Sequence, residues 1–386
     1  MNSTQAYSRK RLQQAIDDEI KSLEESVRVL KHRRNALSPI SSLPPEIFAA
    51  ILSFLRLPGI PSLGGTPDHN LARFRVSHVC HRWREIALSQ PLLWSHIDFH
   101  TLSLAGVTEM LVRAKSVPLY FEARDSLDCR YDVARFIMLQ EELPAHIPRI
   151  CHLSIGIEPH CLRSTLERLV SPAPTLEYLS LRARGTDGAF IPDTFFDGFT
   201  PRLSCLELED CSISWKSPLL RGLKYLKILT PPQYTTPFLA VWLDALDEMP
   251  QLKTPTLHSA SPDILHIPFE VERTIMLPFL THLDISAYAK NCALALAHLD
   301  LPALTWLCIK VIHPLPNDSE VQNLLSYVAR HAHGSQDTQP LQSVLIHKDR
   351  YRLDILAWPL PDIDVDVYDP PALIGRDAPH TRDTRL

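Results

Sequence analysis

Residues 41–55 read Ser41-Ser-Leu-Pro-Pro-Glu-Ile-Phe-Ala-Ala-Ile-Leu-Ser-Phe-Leu55, and this stretch decides what the first part of the chain forms. Ser41 or Ser42 can cap a helix, because a serine side chain accepts a hydrogen bond from a free backbone N–H. The prolines that follow suit a first helical turn, and Glu46 favours the positive helix start. The apolar residues recur at helical spacing and predict one face of a helix: Ile47, Ile51, Leu52 and Leu55.

A second segment follows, Val76-Ser-His-Val-Cys-His-Arg-Trp-Arg-Glu-Ile-Ala87. Its apolar residues predict a second stripe of the same period, formed by Val76, Val79, Cys80 and Trp83. Two or three short helices in about 50 residues bury too little apolar surface to be stable alone. We therefore expect these helices to bind a partner, the alternative being that they are ordinary core helices of a larger helical domain.

The Leu-Pro-Pro-Glu-Ile start and the later Val-Cys-x-x-Trp-Arg together resemble the F-box, the helical module that joins a protein to an SCF-type ubiquitin ligase. The loop from Gly59 to Asn70 is longer than the usual link of that family. The segment with Pro91-Leu-Leu-Trp94 looks like the one that follows the box in a large group of fungal F-box proteins. The resemblance implies binding to the Skp-family adaptor of the cullin scaffold through Leu43, Pro44, Glu46, Ile47, Ile51, Leu52, Leu55, Val79, Cys80 and Trp83.

Residues 11–37 carry a heptad pattern ahead of this region. Its apolar positions alternate at steps of four and three, with Arg34 filling one gap: Ile16, Ile20, Leu23, Val27, Leu30 and Leu37. This pattern predicts a helix that either forms a short coiled coil or remains a single amphipathic helix.

From residue 148 onward a Pro-x-Leu-x-x-Leu-x-Leu pattern repeats. Copies begin at Pro148, Pro174, Pro201, Leu223, Pro250, Pro278, Pro302 and Leu341, with most steps inside the 20–29 residues of leucine-rich repeats. Residues two apart on a strand share a face, so the second and third apolar residues point together into a core. Pro255 replaces a core leucine in the fifth copy, so the array is irregular.

The expected fold class is mixed: an N-terminal helical segment and F-box helices, then an irregular α/β leucine-rich-repeat-like solenoid. The expected domains are a helix or short coiled coil (11–37), the F-box (38–97), a connecting or capping region (98–147), the repeats (148–370) and a disordered tail (371–386). Within the connecting region, Leu102–Leu104 and 118–121 are predicted to be short strands.

Composition narrows the function classes. A net charge of −5 gives no reason to expect nucleic acid or an anionic membrane as a partner. The start of the chain does not read as a signal peptide, no apolar run approaches a membrane span, and the eight cysteines read as reduced thiols. A soluble protein of the cytoplasm or nucleus is expected.

The sequence offers no constellation for catalysis. It holds neither a phosphate-cradling glycine loop nor Gly-x-Ser-x-Gly, and His78, Cys80 and His81 are not spaced as a metal set. We expect no enzyme activity, cofactor or metal. The expected function is that of a ligase adaptor which binds an unknown protein target through its repeats, the alternative being a non-ligase scaffold for protein–protein interaction.

Overall fold

A computed structural model describes residues 2–54, 74–124, 132–185, 187–229, 239–258, 273–311, 318–331, 341, 343–348 and 353–358. The chain divides into two compact units. Of the described residues, the first unit holds those within 2–95 and 111–115, and the second holds those within 96–110 and 116–358. Leu55, the loop from Gly59 to Asn70 and the tail 371–386 lie outside the described residues.

The first unit is helical. Its elements are α1 (Asn2–Ala36), a 3-10 turn (Pro39–Ser42), α2 (Pro45–Ser53), one helical turn at 74–77, α3 (His81–Leu88) and a second 3-10 turn (Pro91–Trp94). Helix α2 begins as its sequence predicts: Pro44 is extended at the N-cap, Pro45 opens the first turn, and Glu46 lies in that turn. Neither serine caps α2, because both belong to the 3-10 turn before it.

The core of the first unit is built around two tryptophans. Phe48 of α2 is buried, and its ring centroid lies 4.6 Å from that of Trp83 on α3. Trp94 is fully buried; its indole N–H donates to the carbonyl of Ala87, and the Arg113 guanidinium lies 4.7 Å above its ring. These contacts fix α3 and the 3-10 turn that follows it.

The second unit is built on one eleven-stranded sheet. In spatial order its strands are β1 (His96–Asp98), β2 (Leu119–Arg124), β3 (Ile150–Ile157), β4 (Tyr178–Ala183), β6 (Cys205–Glu209), β8 (Tyr225–Leu229), β9 (Thr254–His258), β11 (His282–Ala287), β13 (Trp306–Val311), β15 (Leu353–Trp358) and β14 (Ser343–Lys348). Two-stranded pairs accompany it: β5 (Ala189–Phe190) with β7 (Cys211–Ser212), and β10 (Ile275–Met276) with β12 (Leu299–Asp300). The first nine strands of the main sheet, from β1 to β13, run parallel to one another and lie side by side in the order in which they occur in the chain.

Helices and turns fill the connections. They are α4 (Leu104–Arg113), α5 (Val133–His146), α6 (Pro159–Arg168), α7 (Leu239–Asp247), α8 (Ala289–Ala297) and α9 (Asp318–His331), with 3-10 turns at Ile147–Arg149, Phe195–Gly198 and Pro218–Leu220. Helices α6 and α9 thus lie between strands of the repeat region, where the leucine pattern itself is absent.

The repeated apolar pattern sets the register of the sheet. Leu153, Leu179, Leu206 and Leu226 lie opposite one another on successive strands, and all four are fully buried. Pro255 continues the line on β9, where it is buried opposite Leu226 and substitutes for a core leucine. Period-two alternation thus places every second strand residue in the core.

The residue that precedes a strand adds one more backbone hydrogen bond to the neighbouring strand segment. The Glu177 N–H donates to the Cys151 carbonyl at 2.8 Å, and Lys224 donates to Ser204 at the same distance. Equivalent bonds join Lys253 to Lys224 and Thr305 to Thr281, both at 2.8 Å. Because these bonds recur at the same place in the pattern, consecutive strands stack with one offset.

Four expectations for this region were wrong. Leu102 lies in a turn and Leu104 begins α4, so no strand forms at 102–104. The strand predicted at 118–121 is present as β2, and together with β1 it extends the sheet ahead of residue 148. The last copy fails because β14 pairs antiparallel with β15, leaving Val344 and Ile346 about half exposed at the sheet edge. Cys308 lies between two core positions of its strand, where the alternation predicts exposure on the opposite face, yet it is buried, and its partner on β15 is Leu356. Cys161 is disulfide-bonded, whereas the six cysteines at 80, 151, 205, 211, 292 and 308 are free.

Candidate protein-binding surfaces

Helix α2 has two apolar stripes, and only one of them is buried. Phe48 and Leu52, each 3% exposed, face the core of the first unit. Ile47, Ile51 and Phe54 are 51%, 45% and 61% exposed and recur at steps of four and three. We call these three residues the outer stripe. Such a row of exposed aliphatic and aromatic side chains on one helix face is typical of a surface that docks into a partner's groove.

The segment leading into α2 is held by one arginine. The Arg82 guanidinium of α3 donates to the carbonyl of Ser41 and, at 2.5 Å, to the carbonyl of Leu43. Charge-assisted hydrogen bonds of this kind are stronger than neutral ones. They fix the backbone of the segment that leads into α2, and so they hold Leu43 and Pro44 in place beside the outer stripe.

The residues that the sequence assigned to adaptor binding fall into three groups. Pro44, Glu46, Ile47 and Ile51 are exposed on α2 or at its start, with Leu43 half-buried beside them. Leu52 is buried and faces the core of the first unit, so it is not part of the exposed surface of α2. The remaining described residues, Val79, Cys80 and Trp83, lie at or near the start of α3.

The predicted stripe through Val76, Val79, Cys80 and Trp83 is not one helix face. The helical turn ends at residue 77, and Cys80 is extended, with φ −159° and ψ 172°, as the N-cap of α3. An extended residue interrupts the 3.6-residue period, so residues before and after it do not share a stripe. Val79 is 57% exposed in the connecting turn, while Trp83 is half-buried against Phe48.

Two exposed apolar residues were missed from the sequence. Phe54 completes the outer stripe, and Ile40, 39% exposed, lies in the 3-10 turn before α2. The signal for Phe54 was its spacing of three from Ile51 and seven from Ile47. A competing stripe through Phe48 and Leu52 has the same period, and spacing alone does not say which of the two faces outward.

The polar face of the sheet carries a row of stacked rings. His96, Tyr120, His152 and Tyr178 occupy one register position on β1 to β4. Consecutive ring centroids are 6.1, 5.7 and 4.1 Å apart. The planes of the last two rings, His152 and Tyr178, are nearly parallel, with an angle of 3° between them. Glu122, two residues after Tyr120, lies 3.9 Å from His96 Nε2 and 3.6 Å from His152 Nε2.

This ring row has a signal in the sequence that was not used. The residue before the second apolar position of each copy is aromatic or histidine in most copies: His152, Tyr178, Tyr225, His282 and Trp306. These side chains lie on the other face of the sheet from the buried leucines, because neighbouring residues of a strand point to opposite faces.

Charged residues follow on the same face. Asp284 on β11 accepts from Lys310 Nζ at 2.9 Å and lies 3.1 Å from His258 Nε2. Burial raises the pKa of the Asp284 carboxyl, but the hydrogen bond from His258 and the charge of Lys310 outweigh it, so the pKa is below its ordinary value. Arg182 and Glu209 form a second ion pair between β4 and β6. The polar face therefore presents stacked rings on β1 to β4 and paired charges on the strands that follow.

The described residues contain no group of three or more His, Cys, Asp or Glu side chains placed to hold a metal ion. Burial raises the pKa of the Cys308 thiol to about 12 and that of the Cys292 thiol to about 12, so neither is a thiolate nucleophile at neutral pH. Among the helices described, none combines the length and the apolar character that crossing a membrane requires.

A comparison with protein-family models finds a match that lies mostly in the first unit. Residues 40–100 match the family model described as F-box-like. The match includes α2 with its outer stripe, Arg82 and the buried Trp94. The chain thus contains an F-box-like domain in this region. A search of curated proteins finds no match to the chain.

Proposed function

We propose that this protein is an F-box adaptor, which binds a Skp-family protein of an SCF-type ubiquitin ligase through its F-box-like domain. The observation that carries the proposal is the outer stripe, which is apolar and about half exposed inside the region that matches the family. Three such side chains on one short helix are stabilised when a partner covers them, because apolar surface is then removed from water.

The binding surface we assign comprises the outer stripe together with Leu43, Pro44 and Val79. Central, well-packed apolar side chains typically account for most of the affinity in an interface. Trp83 acts from beneath, by packing α3 against the buried Phe48 of α2, and Arg82 positions the segment at 41–43. Leu52 is buried on the same face as Phe48 and helps to hold α2 in place. This division separates residues that contact the partner from residues that hold the surface in shape.

We further propose that the second unit is an irregular leucine-rich-repeat-like solenoid that binds a protein target. The support is the chain-ordered parallel stacking of β1 to β13, the aligned buried leucines and the recurring hydrogen bonds before each strand. A stack of this kind exposes a long polar sheet face, and the ring row with its charged neighbours is the part of that face we assign to target binding. In this proposal the protein acts by binding and contributes no catalytic group.

Affinity purification of the full chain from cells tests the proposal. We expect the Skp-family adaptor and a cullin to co-purify with the wild-type chain, and both to be lost from the variant Ile47→Asp/Ile51→Asp. A matched control is Val344→Asp, an equally exposed aliphatic residue on the edge strand β14, which should retain both.

The two partners distinguish ligase assembly from scaffolding. If the adaptor co-purifies but cullin never does, the chain is a non-ligase scaffold that retains the box. If neither protein is enriched with the wild-type chain, the assignment of the F-box surface fails.

A further inference from the structure

Helix α1 presents an apolar seam that nothing in the described part of the chain covers. Every residue from 9 to 34 is exposed. The seam residues are between 47% and 63% exposed, although they are aliphatic: Ile16, Ile20, Leu23, Val27 and Leu30. The side-chain contacts near the end of the helix, from His32 to His81 and from Ser41 to the Asn35 carbonyl, do not involve these five side chains. A helix with this face would bury it against a partner.

The residue types on the seam match a two-stranded coiled coil. Counting heptads from Ile20 as position a places Ile20 and Val27 at a, and Leu23 and Leu30 at d. Beta-branched residues at a with leucine at d favour two strands over three or four. Gln13 and Arg34 occupy the a positions at the two ends of the seam, and polar residues at a can fix register and oligomer state at some loss of stability.

The flanking charges decide against a parallel pair. In a parallel coiled coil each g residue faces the next e residue of the other helix. Glu19 at g would then face Glu24 at e, and this like-charge contact would occur twice. The next such pair, Ser26 with Lys31, offers no attraction in return. A parallel dimer therefore has two repulsive contacts and no opposite-charge contact along the seam.

An antiparallel pair reverses this result. When two copies are centred at Glu25, Leu23 of one copy shares a layer with Val27 of the other, and Ile20 shares one with Leu30. Equivalent flanking positions then face each other, so that Glu19 meets Arg33 and Asp17 meets Lys31, each twice by symmetry. One like-charge contact, Glu24 with Glu24, remains at the two-fold axis. Arg34 falls in the layer of Ile16 beside Asp17, which gives its charge a partner.

We propose that α1 is an antiparallel coiled-coil dimerisation element that covers its seam with the same helix of a second copy of this chain. The dimer then holds two F-box-like domains and two eleven-stranded sheets in one particle. This inference rests on α1 alone and does not depend on the proposed ligase function.

The test is the mass of the full chain in solution, measured by sedimentation or light scattering over a range of concentrations. We expect a concentration-dependent dimer for the wild type and a monomer for Leu23→Glu. Leu23 is 60% exposed, so this change leaves the fold of the monomer intact, which circular dichroism checks. A wild-type chain that is monomeric throughout, or a Leu23→Glu chain that remains dimeric, overturns the proposal.

Charge reversal at Glu19 distinguishes the two orientations, because it should weaken an antiparallel dimer and strengthen a parallel one. In the antiparallel dimer Glu19→Lys meets Arg33 and should raise the dissociation constant about 10-fold, since two attractive contacts become repulsive. Adding Arg33→Glu should restore dimerisation. The matched control Asp18→Lys reverses a charge at the outward position next to Glu19 and should leave the constant unchanged. A tighter dimer in Glu19→Lys would show a parallel pair and overturn the antiparallel assignment.

Discussion

Replacing Leu206 with alanine tests the register of the sheet, because Leu206 is fully buried while the next residue, Glu207, lies on the polar face. Leu206 on β6 is opposite Leu179 on β4 and Leu226 on β8. Both neighbours belong to hydrogen-bonded strands, so they cannot move far into a space left between them.

The magnitude follows from this environment. Leucine to alanine removes three carbons, worth about 0.8 kcal/mol each when fully buried. The cavity that remains adds a further cost when its surroundings do not collapse, which places the total at about 3–5 kcal/mol. Glu207→Ala removes a side chain that is only partly buried on the polar face and should change the free energy of unfolding by about 0.5 kcal/mol or less.

The measurement is equilibrium urea unfolding of the full chain, followed by the far-ultraviolet dichroism of the sheet. A lower midpoint at an unchanged m-value reports lost stability rather than a changed unfolded state. Equal losses for Leu206→Ala and Glu207→Ala would refute the alternation of buried and exposed strand positions.

Two further tests follow from the same structure, one on α2 and one on Asp284. Ile51→Ala should leave the stability of the full chain nearly unchanged, because Ile51 is 45% exposed, whereas Leu52→Ala should cost about 2–4 kcal/mol in thermal or chemical unfolding; the reverse ranking would show that the outer stripe has been assigned to the wrong face. Asp284→Asn should cost about 1–3 kcal/mol at neutral pH, since it leaves Lys310 and His258 without their carboxylate. Because the folded pKa of Asp284 lies below its ordinary value of 3.8, this stabilisation is present above that pH and is lost as the pH falls through the folded pKa. Urea titrations of both chains across the acid range should therefore converge at low pH, and a constant difference would contradict the ion-pair assignment.

The helix α2 was predictable and its outward face was not. Two consecutive prolines followed by Glu46 specify where the helix begins, and the structure begins it at Pro45. Two parallel stripes have the same period, so the choice between them depends on what packs against the helix. That choice is made by Trp83, which contacts Phe48 from a segment more than thirty residues later in the chain.

The break before α3 shows a second limit. Val76 to Trp83 has helical spacing, yet the backbone is extended at Cys80 and the helix restarts at His81. Spacing records only which residues are apolar, and a one-residue interruption leaves it almost unchanged.

In the sheet, the strands from Ile150 to Ile309 follow from the repeated pattern because each buried leucine pair repeats with one offset. The last two strands do not, because the antiparallel pairing of β15 with β13 depends on a chain reversal that the pattern does not encode. For the same reason Val344 and Ile346, although they match the pattern, are at an exposed edge.

Calorimetric titration of the purified full chain with a purified Skp-family adaptor tests the central claim most directly. We expect saturable binding with one adaptor per chain. The variant Ile47→Ala/Ile51→Ala should bind about 30-fold more weakly, because each half-exposed isoleucine contributes about 1 kcal/mol when a partner covers it. Absence of binding by the wild-type chain, or equal affinity of the two chains, would contradict the claim that the outer stripe is the adaptor-binding surface.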